Sequence, residues 1–481
     1  MKVNVLLLLV ATTSIAAFAD IKTSRNSNVN KLNIRKNDLF LSATNGVSIE
    51  AKATAVKKGG DATIPVSTFN LAKSIVGAGV LSLPSGIAFF SDSPSAVIPA
   101  SLLCAVMGLV AAYSFSLIGK ACEQHNASSF QDAWAKSVDP NSAWTISAGI
   151  TAMCFLASIA YSIIIGDSFT SLAATFNLPA FFAKRTNIIL AISTLVLYPL
   201  CSMKSLAALA PFSLLGLGGT LYTAIVMAVR YFDGSYSKGG KFFVAMAQAA
   251  RPVFNTKGSS ALSSKLFVLV SMLSTSFIAH YNAPAFYNEL KDTSMPRFNK
   301  VVTYAFIASI VTFIFMMSLG FLTFGGATAG FVLNNYSGSD NLITFARLAI
   351  GLALLTGYPF TFSALRDGIL DLQKSSGEER NKSFQPLTIG LLTVITAIAL
   401  VLKDVGFVVS VSGALFGSAL MFVVPAVMNI NNLKTIATKA KTQLTGSNKL
   451  EIAFNWGMVV MGIIMGALGV IISTLKQLGK M

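Results

Sequence analysis

Long apolar segments follow one another along most of the chain and restrict its fold more than any other feature. Eleven stretches between Ser67 and Leu475 have the length, about 20 residues, that crosses the hydrocarbon core of a bilayer. Only 11% of the 481 residues are charged, against roughly 25% in a soluble domain. The sequence therefore predicts an all-α integral membrane protein whose surroundings are the lipid bilayer. The stretches lie near 67–90, 96–118, 144–172, 187–201, 207–232, 264–288, 300–323, 341–363, 385–402, 404–429 and 453–475.

The net charge of +17 comes from Lys and Arg residues in the loops and tails between the apolar stretches. Nucleic acid is therefore not an expected partner. An inside amino terminus places about fourteen Lys and Arg of short loops on its own side and about eleven opposite, which favours that orientation. The loop near 233–263 weakens this bias, and the sequence does not indicate an oligomeric state.

The chemistry-bearing residues do not form an enzyme site. The four cysteines lie in or at the ends of apolar stretches without metal-ligand spacing, and only two histidines, His125 and His280, are present. We find no nucleophile near a base and no phosphate-binding loop. We therefore expect neither catalysis nor a metal or cofactor.

The amino terminus has the composition of a targeting segment. Residues 1–17 carry one Lys, an apolar run and small residues at the end, as in a signal peptide, and residues 18–66 are polar and poor in acids, as in a transit peptide. The junction Ala16-Ala17-Phe18-Ala19 resembles the cleavage motif of two-part plastid targeting sequences. These features favour a plastid envelope, with an endomembrane such as the vacuole or the plasma membrane as the alternative. The membrane domain would occupy 67–475 and a short tail 476–481.

The first apolar stretch contains residues that break helices. Glycines at 77 and 79 and a proline at 84 interrupt it, and both residue types open the helical hydrogen-bond ladder. Open backbone at membrane depth is tolerated where it lines a cavity, and amides at a helix start suit a carboxylate. Gly77, Ala78, Gly79 and Val80 are therefore candidates to hold a substrate carboxylate. Close helix packing is the alternative, because small residues at this spacing also serve that role.

An ordered set of motifs covering about 67–475 resembles the amino acid/auxin permease family, which includes sodium-coupled neutral and vacuolar amino acid transporters. Each motif is weak alone, and their common order makes the resemblance specific. The matching residues are Asn70-Leu71, Gly77-Ala78-Gly79, Leu83-Pro84, Tyr161, Ile164 to Asp167, Phe277 to His280, Glu289-Leu290, Arg347 to Ala349, Tyr358-Pro359, Arg366, Ser412 to Ala414 and Pro425.

The resemblance implies eleven transmembrane helices, with spans one to five repeated in inverted orientation as six to ten, plus one extra. Spans one and six would then be broken helices that face each other at a substrate site. Polar residues do interrupt the sixth span. Its candidates for substrate binding are Ser274, Thr275, Ser276 and Phe277.

Candidates for ion coupling lie in the same spans and in two others. The resemblance implies ion coordination near Asn70 and Thr356, although Thr356 is offset from the family position. Lys73 stands where sodium-coupled relatives carry a small polar residue, so its ammonium could replace the ion and make transport proton-coupled or facilitative. A lysine that extends to the interface is the alternative. Asp167 and His280 are candidates for proton handling. The alternative for Asp167 is capping or pairing near the end of its span, and the alternative for His280 is a hydrogen bond to a helix-end carbonyl.

Charged residues at helix ends are candidates for gates. Glu289 and Arg366 are placed to form an ion pair at the inner ends of spans six and eight, and Arg347 lies near the outer start of span eight. The sequence thus predicts secondary transport of amino acids, of the neutral class, with a proton or sodium ion as a partner. A channel and an amino-acid-sensing receptor of the same fold are the alternatives.

Overall fold

The computed structural model describes residues 60–179, 181–182, 184–203, 213–254, 264–375 and 377–480. The predicted signal peptide and nearly all of the transit-like segment lie outside these residues. The described chain is helical, and its α-helices, in order, are α1 Ile64–Ile75, α2 Leu83–Phe90, α3 Val97–His125, α4 Phe130–Ser137, α5 Trp144–Thr175, α6 Arg185–Ile192, α7 Tyr198–Cys201, α8 Ser213–Phe232, α9 Leu266–Ser276, α10 Ala283–Glu289, α11 Met295–Phe324, α12 Asn341–Leu372, α13 Gly377–Val401, α14 Val405–Ser412, α15 Val424–Lys439 and α16 Gly446–Gln477.

Among the described residues, eight helical segments are long and apolar enough to cross a membrane, and the broken pair Ile64–Ile75 and Gly79–Phe90 makes nine. The predicted fourth span is the 17-residue segment Arg185–Cys201. The predicted fifth span begins in a part of the chain that the structure does not describe and continues as α8. A multi-pass helical membrane protein is therefore confirmed, and the count of eleven and the inverted repeat stay predictions.

Four prolines lie where helices begin. Pro65, Pro84, Pro284 and Pro425 each occupy one of the first two positions of α1, α2, α10 and α15. A proline fits there because the first amides of a helix have no carbonyl partner within it. The proline of the first apolar stretch therefore starts the second half of a broken helix.

Helix α11 packs along both α1 and α2, and α9 packs against α2, α14 and α16. Helix α9 also makes a close backbone contact with the π-helical turn Gly413–Gly417, which follows α14. A Cβ atom built on Gly413 would lie 1.7 Å from the backbone oxygen of Ser271. Only glycine allows the two backbones to approach so closely, and this packing holds α9 against the turn that follows α14.

Backbone pairs outside the helices define two faces of the bundle. Before α1, the Ala62 N–H donates to the Glu289 oxygen at 3.0 Å, so the start of α1 and the end of α10 share what we call the amino-terminal face. Before α9, the Gly326 N–H donates to the Val253 oxygen at 2.8 Å. A Cβ atom built on Gly326 would lie 3.2 Å from the Cβ of Asp92. The ends of α2 and α11 and the segment before α9 therefore share the opposite, distal face.

Candidate functional site

The first break lies between α1 and a 3₁₀ helix, Ala78–Ser82, that continues into α2. Gly77 is extended, with φ −102° and ψ −171°, and its N–H donates to the Ile75 oxygen at 2.9 Å. The helix axes before and after the break differ by 41°. Because a helix restarts here, the first amides of Ala78–Ser82 have no carbonyl partner within their own helix.

The second break lies between α9 and α10. Helix α9 ends at Ser276, Ala279 leaves helical geometry with φ −134° and ψ 7°, and a 3₁₀ turn, His280–Asn282, leads into α10. The sequence placed this break correctly, because its polar residues and Pro284 coincide with the interruption. Both helices predicted to be broken are therefore broken at the predicted places.

The two breaks touch each other. A Cβ atom built on Gly79 would lie 3.3 Å from the Ser276 Oγ atom, whereas one built on Gly77 meets no atom within 4 Å. Asn282 Nδ2 donates to Ser74 Oγ at 3.2 Å and links the two broken helices. Open space therefore lies beside Gly77, and the second break contacts the first on either side of it in the sequence, at Ser74 and Gly79.

The side chains predicted to bind substrate in the sixth span are mostly engaged in the fold. Ser274 Oγ donates to the Val270 oxygen at 3.0 Å, and Ser276 Oγ donates to the Met272 oxygen at 2.9 Å. Thr275 Oγ1 donates at 2.6 Å to the oxygen of Val409 in α14.

Phe277 is fully buried, and its ring centroid lies 4.7 Å from that of Phe313 and 6.4 Å from that of Phe306. Of the four predicted residues, Ser276 lies nearest the first break. The backbone of the breaks is therefore better placed to bind a ligand than these side chains are.

The predicted ion-coupling residues of spans one and eight differ in their exposure and in their hydrogen bonds. Asn70 is exposed, while Lys73 is half-buried on α1, one turn before the break. Thr356 Oγ1 donates to the Leu352 oxygen at 3.0 Å and the Ala353 oxygen at 3.1 Å of its own helix. Lys73 is therefore the coupling candidate of span one that lies nearest the open space.

His280 is completely buried. Its Nε2 atom lies 2.8 Å from Ser114 Oγ and 3.1 Å from the Ala111 oxygen, both in α3. A carbonyl only accepts hydrogen bonds, so the contact with Ala111 places the hydrogen on Nε2. The ring also packs edge-on against Phe115 and Phe306. This histidine ties the second break to α3, although the carbonyl that it contacts lies in the middle of that helix and not at a helix end.

Asp167 lies near the distal end of α5 and forms an ion pair. Its Oδ1 atom accepts from Arg185 Nε at 2.6 Å, and its Oδ2 atom accepts from Asn334 Nδ2 at 2.9 Å. Arg185 also donates to the Ala399 oxygen at 2.9 Å. The geometry favours the pairing alternative for Asp167 and places it away from both breaks.

The two residues predicted to form an inner gate are not brought together. Arg366 is buried, donates to the Cys201 oxygen at 2.7 Å and to Thr388 Oγ1 at 3.1 Å, and stacks on the Phe384 ring at 3.7 Å. Glu289 has an exposed side chain. No ion pair joins these two described residues. Arg366 does not pair with Glu289 because the ends of neighbouring helices supply its guanidinium with uncharged acceptors.

Arg347 is 3% exposed and is held at the distal face by carbonyl oxygens. Its Nη2 atom donates to the oxygens of Leu333 and Tyr336, each at 2.8 Å. The guanidinium thus fixes the loop before α12. A gate that moves would have to break these bonds.

Two groups of polar contacts were not predicted from the sequence. The hydrogen bond between Ser74 and Asn282 joins the two breaks directly. In the sequence, the only indication of this bond is that both residues are polar and lie beside a break. At the distal face, Asp340 is fully buried and accepts from Arg230 Nε at 2.7 Å, Arg230 Nη2 at 2.8 Å and the Tyr236 hydroxyl at 3.0 Å. No spacing in the sequence pairs residues 230, 236 and 340.

Comparison with known proteins gives one family and one fold. A family model described as "Transmembrane amino acid transporter protein" matches residues 60–475. The putative sodium-coupled neutral amino acid transporter 11 of Danio rerio is 25% identical over 375 residues, 77% of this chain and 79% of that protein. Vacuolar amino acid transporter 5 of Schizosaccharomyces pombe is 26% identical over 372 residues, 75% of this chain and 82% of that protein.

Among solved structures, the crystal structure of MhsT in complex with L-phenylalanine matches 87% of this chain and 100% of that chain, with a TM-score of 0.54 at 14% identity. At this identity the likeness concerns the fold. The relatives are named as transporters, which agrees with the expectation that the chain is not an enzyme.

Proposed function

Because the chain belongs to the transmembrane amino acid transporter family, as the motifs predicted, we propose that it is a secondary transporter that moves neutral amino acids across a membrane by alternating access. The observation that carries this proposal is the contact between the two broken helices, at Gly79 and Ser276 and at Ser74 and Asn282. Two interrupted helices that meet inside a bundle are the usual construction of a transporter site.

The amino acid carboxylate binds beside Gly77, at the start of the helix that begins at Ala78. The helix-start amides of Ala78 and Gly79 supply donors, and the helix dipole favours a negative charge there. The space beside Gly77 is open, so the carboxylate reaches the backbone without displacing a side chain. Recognition by backbone groups also explains why the hydroxyl groups of Ser274 and Thr275 are engaged elsewhere.

Alternating access uses the breaks as hinges. Helices α1 and α10 meet at the amino-terminal face, where residues 60–62 pair with the backbone of residues 288–291. Three N–H to oxygen bonds hold this contact, at 3.0, 3.0 and 2.9 Å. Opening that face requires these bonds to break while α1 tilts at Val76 and Gly77.

Coupling is independent of sodium in this proposal. The Lys73 ammonium stands one turn before the break, where it supplies a fixed positive charge near the carboxylate. Transport is then driven by protons or by the amino acid gradient alone. Sodium coupling, as in the name of the Danio rerio relative, is the alternative, and uptake under imposed ion gradients distinguishes the two.

The membrane in which the transporter works is an endomembrane in this proposal. The name of the Schizosaccharomyces pombe relative, a vacuolar transporter, supports that location. The plastid envelope favoured by residues 1–66 has no support from these relatives, and residues 1–59 lie outside the part that the structure describes.

The test is counterflow in proteoliposomes that contain the full chain. Vesicles are loaded with an unlabelled amino acid, and uptake of the same labelled amino acid is followed over a panel of neutral, acidic and basic side chains. A carrier accumulates label transiently above the outside concentration, and we expect this for neutral amino acids. Binding without counterflow would indicate a receptor, and flux without exchange a channel.

Uptake is then measured under an imposed sodium gradient and, separately, an imposed proton gradient. We expect equal uptake when sodium is replaced by another monovalent cation at fixed pH. Uptake that collapses on this replacement would refute the role proposed for Lys73 and leave amino acid transport standing.

A further inference from the structure

A cavity of about 490 Å³ lies at the distal face between α5, α6, α12 and the loop before α12. Its charged and amide-bearing lining residues are Asp167, Arg185, Asn334, Arg347 and Lys403. None of the residues of the two breaks is among its described lining residues. The cavity is therefore separate from the site proposed for the transported amino acid.

The cations of this cavity are incompletely neutralised. Arg347 is 3% exposed, and its guanidinium donates to carbonyl oxygens alone. Its Nε atom and the Arg185 Nη2 atom have no hydrogen-bond acceptor among the described atoms. Lys403 is exposed and makes no ion pair with a described residue. Only Arg185 has a carboxylate partner, Asp167.

One further acidic group lies near these cations. Asp340 lies close to Arg347 and shares the single Arg230 with Asp233, so these two carboxylates and one guanidinium carry one net negative charge beside Arg347. Asp340 does not line the cavity. The lining residues, three cations and one carboxylate, carry a net charge of +2, and the negative charge beside Arg347 lowers the net charge of this region to +1.

A buried cation without a counter-ion is costly, and a cleft lined by charges of one sign concentrates ions of the other sign. We propose that this cavity binds a small monocarboxylate at the distal face, with its carboxylate between Arg347, Arg185 and Lys403. A planar guanidinium matches the two oxygens of a carboxylate. The charge of Asp167 disfavours ligands with two or more negative charges, such as inorganic phosphate.

The cavity can be probed by a cysteine placed at Ala174, which is exposed and lines it. The four native cysteines are buried, so the new thiol is the reactive one. Full-length Ala174→Cys protein in nanodiscs of zwitterionic lipid is labelled with anionic and cationic methanethiosulfonate reagents of similar size. A Ser95→Cys variant, exposed on the same face, is the matched control.

We expect the ratio of anionic to cationic labelling rates to be about tenfold higher at Ala174→Cys than at Ser95→Cys, which corresponds to about 1.4 kcal/mol of electrostatic attraction. Acetate should slow the labelling of Ala174→Cys in a saturable manner and leave Ser95→Cys unaffected. Adding Lys403→Gln should lower the ratio several-fold and weaken protection by acetate. Lys403→Arg should preserve both.

Equal labelling rates at the two positions, or protection that does not saturate with acetate, would overturn the proposal. Protection by inorganic phosphate at lower concentration than acetate would also overturn it, as would protection seen only when the nanodiscs contain anionic lipid, which would identify a lipid headgroup as the occupant. These readouts do not involve transport. Their failure and a failure of counterflow are therefore distinguishable.

Discussion

The substitution Gly77→Ala, at the first break, should weaken substrate binding and leave folding unchanged. Gly77 has φ −102° and ψ −171°, a conformation that alanine adopts without strain. A Cβ atom at this position meets no atom within 4 Å. The substitution therefore leaves the packing intact and places a methyl group in the open space proposed for the substrate carboxylate.

The size of the effect follows from the bonds that the methyl group displaces. A hydrogen bond to a charged group contributes about 1.5–3 kcal/mol, and each 1.4 kcal/mol changes a dissociation constant about tenfold. Loss of one amide-carboxylate bond should weaken binding by about 10- to 100-fold. Folding stability should not fall, because replacing glycine reduces the freedom of the unfolded chain.

The assay is equilibrium binding of a labelled neutral amino acid to the full chain in nanodiscs, together with the thermal unfolding temperature of the same samples. Gly390→Ala is the matched control, because Gly390 is exposed in α13 and its Cβ atom also meets nothing within 4 Å. Unchanged affinity in a folded Gly77→Ala protein would show that the open space beside Gly77 does not hold the carboxylate.

Three further predictions concern coupling, the inner helix ends and helix packing. Lys73→Asn should make uptake depend on sodium at fixed pH, because it removes the ammonium beside the break; a variant that stays indifferent to sodium would contradict this role. Arg366→Gln should destabilise the protein by at least about 1.5–3 kcal/mol in thermal unfolding, because Arg366 is buried and hydrogen-bonded, whereas exposed Glu289→Gln should change stability by less than about 0.5 kcal/mol. An equal loss of stability in the two variants would contradict the separate surroundings of these two side chains. Gly413→Ala should abolish monodisperse protein in size-exclusion chromatography, because its Cβ atom would lie 1.7 Å from the Ser271 oxygen; normal folding would show that α9 and α14 can move apart.

The positions of the helices and of both breaks could be predicted because they depend on local chemistry. Apolar stretches of membrane length and glycine, polar and proline interruptions are all visible in the sequence. Helix ends were less predictable: α12 reaches Leu372, beyond the apolar stretch 341–363. A helix continues past the hydrocarbon core because its backbone bonds are internal and do not depend on lipid.

The orientation of side chains at the site could not be predicted. Ser274 and Ser276 satisfy their hydroxyl groups on the preceding turn, and Thr275 satisfies its hydroxyl on α14. A choice between a ligand and a neighbouring carbonyl depends on which helix packs alongside, and that is a tertiary property. The same reason explains Arg366, whose acceptor is the Cys201 oxygen at the end of α7 and not Glu289.

The proposed function requires that an amino acid bind where the two broken helices meet. The most direct measurement is a cryo-electron microscopy map of the full chain with a saturating concentration of a transported neutral amino acid. We expect ligand density in contact with both breaks, with the carboxylate at the amides of Ala78 and Gly79 and the rest of the amino acid near Ser276. Density that lies elsewhere, for example only in the distal cavity, with the space beside Gly77 empty, would show that the broken helices do not form the substrate site.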